Sequence, residues 1–232
     1  MKILIPFNNY CLPNLKNKLF PDWGFSALLE IDKRLLLFDT GSNGQILLRN
    51  LKSLNVKINK IFKVVISHNH WDHTGGLVDI ARLNPHLEII APELDEPLVN
   101  KLLQYDVTVN FVKRSIKIED NLITTPVFKG KIPELGLVIK TAMGNILLTG
   151  CAHPGIKNML KKVPAPRLAV IGGFHLFLKK LDEIIKIAKD IEILDVRYLC
   201  PSHCTGEYPI EFFKRYFKDH YLYGGLGATF NF

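Results

Sequence analysis

The strongest constraint on this chain is a cluster of histidines that directly follows a short apolar run. Residues 61–66 are predicted to form a buried strand, and residues 67–76 then read Ser-His-Asn-His-Trp-Asp-His-Thr-Gly-Gly. His68 and His70 lie two positions apart on an irregular turn and can point into one cavity, while the adjacent Asp72 and His73 can turn toward a second ion. Imidazole nitrogen and carboxylate oxygen bind zinc, iron, nickel and manganese. The pattern therefore predicts a metalloenzyme rather than a solvated polar loop.

Length and cysteine content are consistent with an intracellular enzyme. The 232 residues are most simply one domain spanning 1–232, large enough to form a core without disulfides. The sequence has no apolar run long enough to span a membrane, and its N-terminus is predicted to be a strand rather than a signal peptide. Two of the four cysteines lie inside candidate metal motifs. We therefore predict a reducing, cytoplasmic location.

The chain is strongly basic, with a formal net charge of +8. Its lysines are spread over many segments, which is typical of a solvated, thermophile-like surface. A positive field also favours an anionic small-molecule substrate. Nucleic acid is compatible with this charge but is the less favoured partner.

Apolar periodicity predicts strands and helices that alternate along the chain without a linker. Strands are predicted at 3–6, 25–31, 34–38, 61–66, 87–90, 115–118, 122–125, 136–141, 145–149, 168–171 and 198–200. Helices are predicted at 45–54, 76–83, 94–105 and 179–194. Asp32 and Lys33 are the predicted turn between two early strands, and a last short strand should follow the glycine-rich residues 223–227.

The histidine motif, written His-x-His-x-Asp-His, resembles the signature of the metallo-β-lactamase superfamily. The early motif at 36–41 (Leu-Leu-Phe-Asp-Thr-Gly) and three late motifs at 147–155, 172–176 and 201–206 extend the resemblance over nearly the whole chain. The late motifs are similar to one branch, the metal-dependent hydrolases that include pterin-ribofuranosylaminobenzene phosphate synthase-like proteins of archaea and thermophiles. The resemblance implies an αββα four-layer sandwich that binds two divalent metal ions, zinc first, with iron or manganese as alternatives.

The same resemblance implies a set of metal ligands shared between two ions. They are His68, His70 and His153 for the first ion, and Asp72, His73 and His203 for the second. Asp39, from the motif at 36–41, is expected to orient a histidine of the metal loop or the backbone of that loop, with direct metal binding as the alternative.

Three further residues of these motifs leave more than one role open. Cys151 stands where many members of the superfamily carry an aspartate that bridges the metals, so it is either a ligand or a small buried filler. His175 is a ligand, a substrate clamp or a proton donor to the leaving group, or else a packed histidine that caps the following helix. Trp71 is expected to pack beneath the metal loop, with a place in the wall of the pocket as the alternative.

The predicted chemistry is that of a hydrolase or transferase that uses a hydroxide held between two metal ions. Asp72 would orient the hydroxide as well as bind metal, and His175 would protonate the departing group. A small, phosphate-bearing substrate is favoured. The alternatives are a nuclease or phosphodiesterase, a lactonase or thioesterase, and a non-enzymatic metal-binding or scaffold protein.

Overall fold

The computed structural model describes residues 1–31 and 33–232, so the turn predicted at Asp32 and Lys33 lies partly outside the described residues. The chain divides into two compact units. We call Met1–Lys113 together with Gly225–Phe232 the first half, and Arg114–Gly224 the second half. That the whole chain is one domain stays a prediction. No helix in the described part of the chain is long and apolar enough to cross a membrane.

Strands and helices alternate in both halves. The strands are β1 (Lys2–Asn8), β2 (Phe25–Ile31), β3 (Arg34–Phe38), β4 (Ile61–Val65), β5 (Leu87–Ala91), β6 (Val107–Phe111), β7 (Lys117–Glu119), β8 (Leu122–Thr124), β9 (Leu137–Thr141), β10 (Gly144–Thr149), β11 (Arg167–Gly173), β12 (Val196–Ser202) and β13 (Thr229–Asn231). The α-helices are α1 (Gly44–Ser53), α2 (Trp71–Thr74), α3 (Leu77–Leu83), α4 (Glu96–Leu102), α5 (Ile156–Leu160), α6 (Leu181–Ile193) and α7 (Glu207–Phe217).

The first half is built on a mixed sheet with the strand order β13-β1-β2-β3-β4-β5-β6. Strands β13 to β3 pair antiparallel, whereas β3, β4, β5 and β6 run parallel to one another. Helices α1, α3 and α4 contribute apolar side chains such as Leu51, Ile80 and Leu102 to a core shared with the sheet. Because parallel strands end at the same edge, the residues after β3 and β4 lie next to each other.

The second half is also built on a mixed sheet, with the strand order β12-β11-β10-β9-β8-β7. Strands β7 to β10 pair antiparallel, and β10, β11 and β12 run parallel. The core of this half joins the sheet to α5, α6 and α7, through side chains that include Met159, Ile184 and Phe213. The carboxyl ends of β10, β11 and β12 therefore share one edge, and the three late motifs follow these ends.

The sequence located most of the sheet but missed several elements. Each of the eleven strands predicted upstream of residue 201, and the last short strand, overlaps an observed one. Strand β6 was missed because most of its side chains are exposed, which weakens the apolar pattern. Helix α7 was missed because Pro209 lies in its first turn, although Phe213 and Phe217 bury its inner face.

Candidate metal centre

The histidine motif forms a tight loop at the carboxyl end of β4. His68 and His73 are fully buried and Asp72 nearly so, while His70 is half-buried. The loop can pack closely because it ends in two glycines. A Cβ atom at Gly75 or Gly76 would collide with the backbone oxygens of the neighbouring turn at Ser42 and Thr40. The glycines of the motif therefore hold the imidazoles at the strand end.

Asp39, at the end of β3, organises the histidine loop through three hydrogen bonds. Its buried carboxylate accepts from the backbone N–H of Ser67 at 2.7 Å and from the Ser67 hydroxyl at 2.7 Å. It also contacts Nδ1 of His73 at 2.8 Å. The Ser67 oxygen in turn lies 2.9 Å from Nδ1 of His68. The supporting contact predicted for Asp39 is thus present, while its effect on metal binding stays a prediction.

These hydrogen bonds assign the protons on two imidazoles. Because the carboxylate of Asp39 only accepts, His73 donates from Nδ1–H and carries no proton on Nε2 in its neutral form. The Ser67 hydroxyl donates its only hydrogen to Asp39. Its oxygen is therefore the acceptor in the contact with His68, which donates from Nδ1–H. In their neutral forms, His68 and His73 therefore both present an unprotonated Nε2, which is the form that binds a metal ion.

The spacing of the nitrogen atoms fits a shared cation. Nε2 of His68 and Nδ1 of His70 lie 3.1 Å apart. Two nitrogens bound tetrahedrally to one zinc at about 2.0–2.1 Å are separated by about 3.3 Å. His68 and His73 are also close, with ring centroids 4.2 Å apart. The first half thus brings the imidazoles of the motif into one cluster whose geometry suits a divalent metal.

Asp72 has a hydrogen-bond partner that the sequence did not reveal. The indole Nε1–H of Trp23 donates to Oδ2 of Asp72 at 3.0 Å, and the same oxygen lies 3.8 Å from Nε2 of His73. Trp23 stands 49 residues before Asp72, so no local pattern links the two.

The prediction that Trp71 packs beneath the loop is wrong. Its side chain is 64% exposed, since the tight turn after His70 directs it away from the core.

In the second half, a buried carboxylate holds the turn that follows β10. Glu134 is fully buried and accepts from three consecutive backbone N–H groups. The distances are 3.0 Å to Cys151, 2.9 Å to Ala152 and 2.7 Å to His153. Ala152 has a positive φ of 56°, which lets three successive N–H groups converge on one anion. This role was not predicted, because Glu134 lies between two strands in a segment without a metal-like motif.

The late-motif histidines follow the parallel strands β10, β11 and β12. His153 and His175 come after β10 and β11, and their rings touch, with centroids 4.5 Å apart. His153 is half-buried and His175 is exposed. His203, after β12, is fully buried. His175 and His203 have positive φ angles of 51° and 49°, a costly conformation that recurs at functional sites.

Cys151 and His175 gather around a third residue, Cys204. The two sulfurs and a ring nitrogen of His175 all lie within 4.8 Å of one another. Burial raises the pKa of the Cys204 thiol, but hydrogen bonds with Cys151 and His175 and the nearby imidazoles outweigh it, so the pKa falls well below its usual range. The second half thus contains a cluster of two thiols and one imidazole.

The comparisons with known proteins define the class of the chain. A model of the metallo-beta-lactamase superfamily matches residues 21–203, and the chain belongs to this superfamily. The 7,8-dihydropterin-6-methyl-4-(beta-D-ribofuranosyl)-aminobenzene-5'-phosphate synthase of Methanocaldococcus jannaschii is 31% identical, over 87% of this chain and 88% of its own length. The predicted resemblance to the superfamily and to this branch is confirmed.

Solved structures agree with this assignment. The crystal structure of a metal-dependent hydrolase of the beta-lactamase superfamily matches with a TM-score of 0.83 at 28% identity, over 100% of this chain and 99% of its own. The short form of human tRNase Z matches with a TM-score of 0.69 at 15% identity, over 100% and 99% of the two chains, and shares the fold. The predicted fold class, the αββα sandwich of the metallo-β-lactamase type, is confirmed.

Proposed function

We propose that this protein is a metal-dependent enzyme that acts on a small, phosphate-bearing substrate by hydrolysis or group transfer. The observation that carries the proposal is the network from Asp39 through Ser67, which leaves Nε2 of His68 and His73 unprotonated. Burying two imidazoles in this form beside a third histidine has no structural benefit that apolar residues would not supply better. Binding of divalent metal explains the cluster, and the imidazole-rich ligand set favours zinc over magnesium or calcium.

The ligands from the second half are proposed from the family pattern and from their position in the fold. His153 and His203 each follow a parallel strand at its carboxyl end, as His68 does in the first half. We assign His68, His70 and His153 to one ion, and Asp72, His73 and His203 to a second. Metal sites in rigid folds are commonly assembled from such strand-end loops.

Divalent cations bound to these residues supply Lewis acidity and lower the pKa of a water molecule toward about 7. The protein's own contribution is orientation. Asp39 fixes the rings of His68 and His73, and Trp23 fixes one carboxylate oxygen of Asp72, so that Asp72 can orient a nucleophilic water. Of the roles predicted for His175, ligation is favoured over proton transfer because two thiols lie beside its ring.

The substrate class is proposed from the overall charge and from the name of one relative. The net charge of +8 favours anions. The groove of about 620 Å³ beside Trp71 does not add to this argument, because Lys101 shares its lining with the carboxylates of Asp95 and Glu96. The Methanocaldococcus jannaschii relative is named as a synthase of a ribofuranosyl-aminobenzene phosphate, which is why group transfer is kept beside hydrolysis.

The first test is metal content per chain, measured by plasma mass spectrometry on protein purified without chelators. We expect two zinc, iron or manganese ions in the histidine centre, so the wild-type chain should carry at least two ions. His70→Ala should lose at least one ion and all turnover. His86→Ala, which removes an exposed histidine of the first half, is the matched control and should keep both. Wild-type protein that binds no metal after reconstitution, or a His70→Ala variant that stays fully loaded, would refute the proposal.

The second test identifies the bond that reacts. Phosphomonoester, phosphodiester, lactone and thioester substrates should be compared with metal-loaded wild type and His70→Ala. Turnover of small phosphate esters that depends on His70 supports the proposal. Cleavage of RNA that weakens steeply with salt would instead identify a nuclease.

A further inference from the structure

The parallel strands of the second half bring two thiols and an imidazole to one edge of the sheet. Strands β10, β11 and β12 are direct neighbours. Cys151, His175 and Cys204 each lie two residues beyond one of these strands. Their sulfur and nitrogen atoms lie within 4.8 Å of one another. The cluster consists of residues of the second half alone, so it does not require the histidines of the first half.

The local structure is shaped to accommodate these side chains. Gly173, the last residue of β11, lies directly against Cys204. A Cβ atom at residue 173 would lie 2.6 Å from the Cys204 sulfur and 2.5 Å from the carbonyl oxygen of Gly150. Only glycine therefore leaves room for the thiol at this point. His175 has a positive φ of 51°, and a nitrogen of its ring lies within 4.8 Å of both sulfurs.

The exposure of the three groups suits a cation site with one open position. Cys151 and Cys204 are buried, with 3% and 2% exposure, whereas His175 is exposed. A cation held by the two sulfurs would thus sit at the base of the cluster, with the imidazole closing one side. Three side-chain ligands leave one of the four positions of a tetrahedral cation open.

We propose that Cys151, His175 and Cys204 form a sulfur-rich site for a thiophilic divalent cation of the zinc class. Two thiolates and one imidazole with an open fourth position form a donor set that zinc proteins use. Tetrahedral zinc at about 2.3 Å from sulfur requires sulfur atoms about 3.8 Å apart. This separation lies within the 4.8 Å limit observed for the cluster. Soft sulfur ligands also select against magnesium, calcium and manganese.

A simpler interpretation is that the cysteines only fill space. Buried cysteine often acts as a small apolar residue, and Cys200 within β12 is such a case. It is fully buried and burial alone raises the pKa of its thiol. Cys151 and Cys204 differ because each contacts the other and an imidazole. Cys200 is therefore the matched control for a test of metal binding by thiols.

The test is a titration of the reduced, metal-free full-length protein with Co²⁺, followed by absorption. Thiolate ligands give an intense sulfur-to-cobalt charge-transfer band in the near ultraviolet, which imidazole and carboxylate ligands do not give. We expect this band in wild type and in Cys200→Ala. Cys151→Ser and Cys204→Ser should each lose about half of it, and His175→Ala should keep the band but need at least about tenfold more cobalt, as expected for a lost ligand or supporting contact.

The outcomes separate this site from the proposed histidine centre. His70→Ala should retain the charge-transfer band, because the sulfur site does not use that residue. Absence of the band in wild type, or a Cys204→Ser variant that matches wild type, would overturn the sulfur site without affecting the metal count of the histidine centre. Loss of the band in Cys151→Ser alone would assign Cys151 to the histidine centre instead. Circular dichroism of each variant checks that it is folded.

Discussion

Replacing Glu134 by glutamine should destabilise the turn that follows β10. In the wild-type protein the buried carboxylate accepts from the N–H groups of Cys151 and Ala152 through Oε1, and from that of His153 through Oε2. A glutamine amide has one oxygen and one NH₂ group. The amide oxygen can still accept from Cys151 and Ala152, although it carries no full charge. The NH₂ group, however, would face the N–H of His153. One donor is then left buried opposite another donor.

The expected cost follows from these three bonds. A hydrogen bond to a charged group contributes about 1.5–3 kcal/mol, and a bond to a neutral acceptor about half of that. Losing the hydrogen bond of His153 and weakening the other two should therefore lower the free energy of unfolding by about 3–6 kcal/mol. The uncharged side chain avoids the desolvation penalty of a buried carboxylate, which offsets part of this cost. We expect a net loss of about 2–4 kcal/mol.

Two measurements check this value. Urea denaturation of the metal-free protein gives the loss of unfolding free energy. Native-state hydrogen exchange gives the local effect, and the amides of Cys151, Ala152 and His153 should exchange about 30- to 1,000-fold faster, since each 1.4 kcal/mol corresponds to about tenfold. Glu93→Gln changes an exposed glutamate and should shift stability by less than about 0.5 kcal/mol. A Glu134→Gln protein within about 1 kcal/mol of wild type would refute the reasoning.

Three further predictions test other parts of the fold. Asn43→Ala removes the N-cap of α1, whose side chain accepts two backbone N–H groups, and should cost about 1 kcal/mol in urea denaturation; Asn43→Asp should cost less. Gly172→Ala should prevent accumulation of folded protein, because residue 172 has a φ of 130° and a Cβ atom there would collide with the oxygen of Thr149. Gly130→Ala meets no atom closer than 3.9 Å and should be neutral. Cys200 should resist iodoacetamide at mildly alkaline pH until the protein unfolds, because burial raises the pKa of its thiol and the thiolate is the nucleophile.

The fold was largely predictable because its strands carry dense apolar runs. Strands β2 and β3 were predicted with the bounds that the structure has, since most side chains in them are buried. The clustering of the imidazoles in the first half was also predictable, because His68 to His73 are close in sequence. The hydrogen bond from Trp23 to Asp72 was not predictable, because it depends on how two segments that are distant in sequence come together. A single sequence carries no signal for such a pair.

Two buried carboxylates, one in each half, support the candidate metal ligands by different routes. Asp39 contacts the side chains of Ser67 and His73, so it determines which ring nitrogen carries the proton. Glu134 accepts from the Thr149 hydroxyl and from three backbone N–H groups of the turn, so it determines the path of the chain that carries His153. A carboxylate that orients an imidazole must stand at a fixed place beside it, and Asp39 was therefore visible from its motif. A carboxylate that binds backbone N–H groups can come from any segment that reaches them, which is why Glu134 was not.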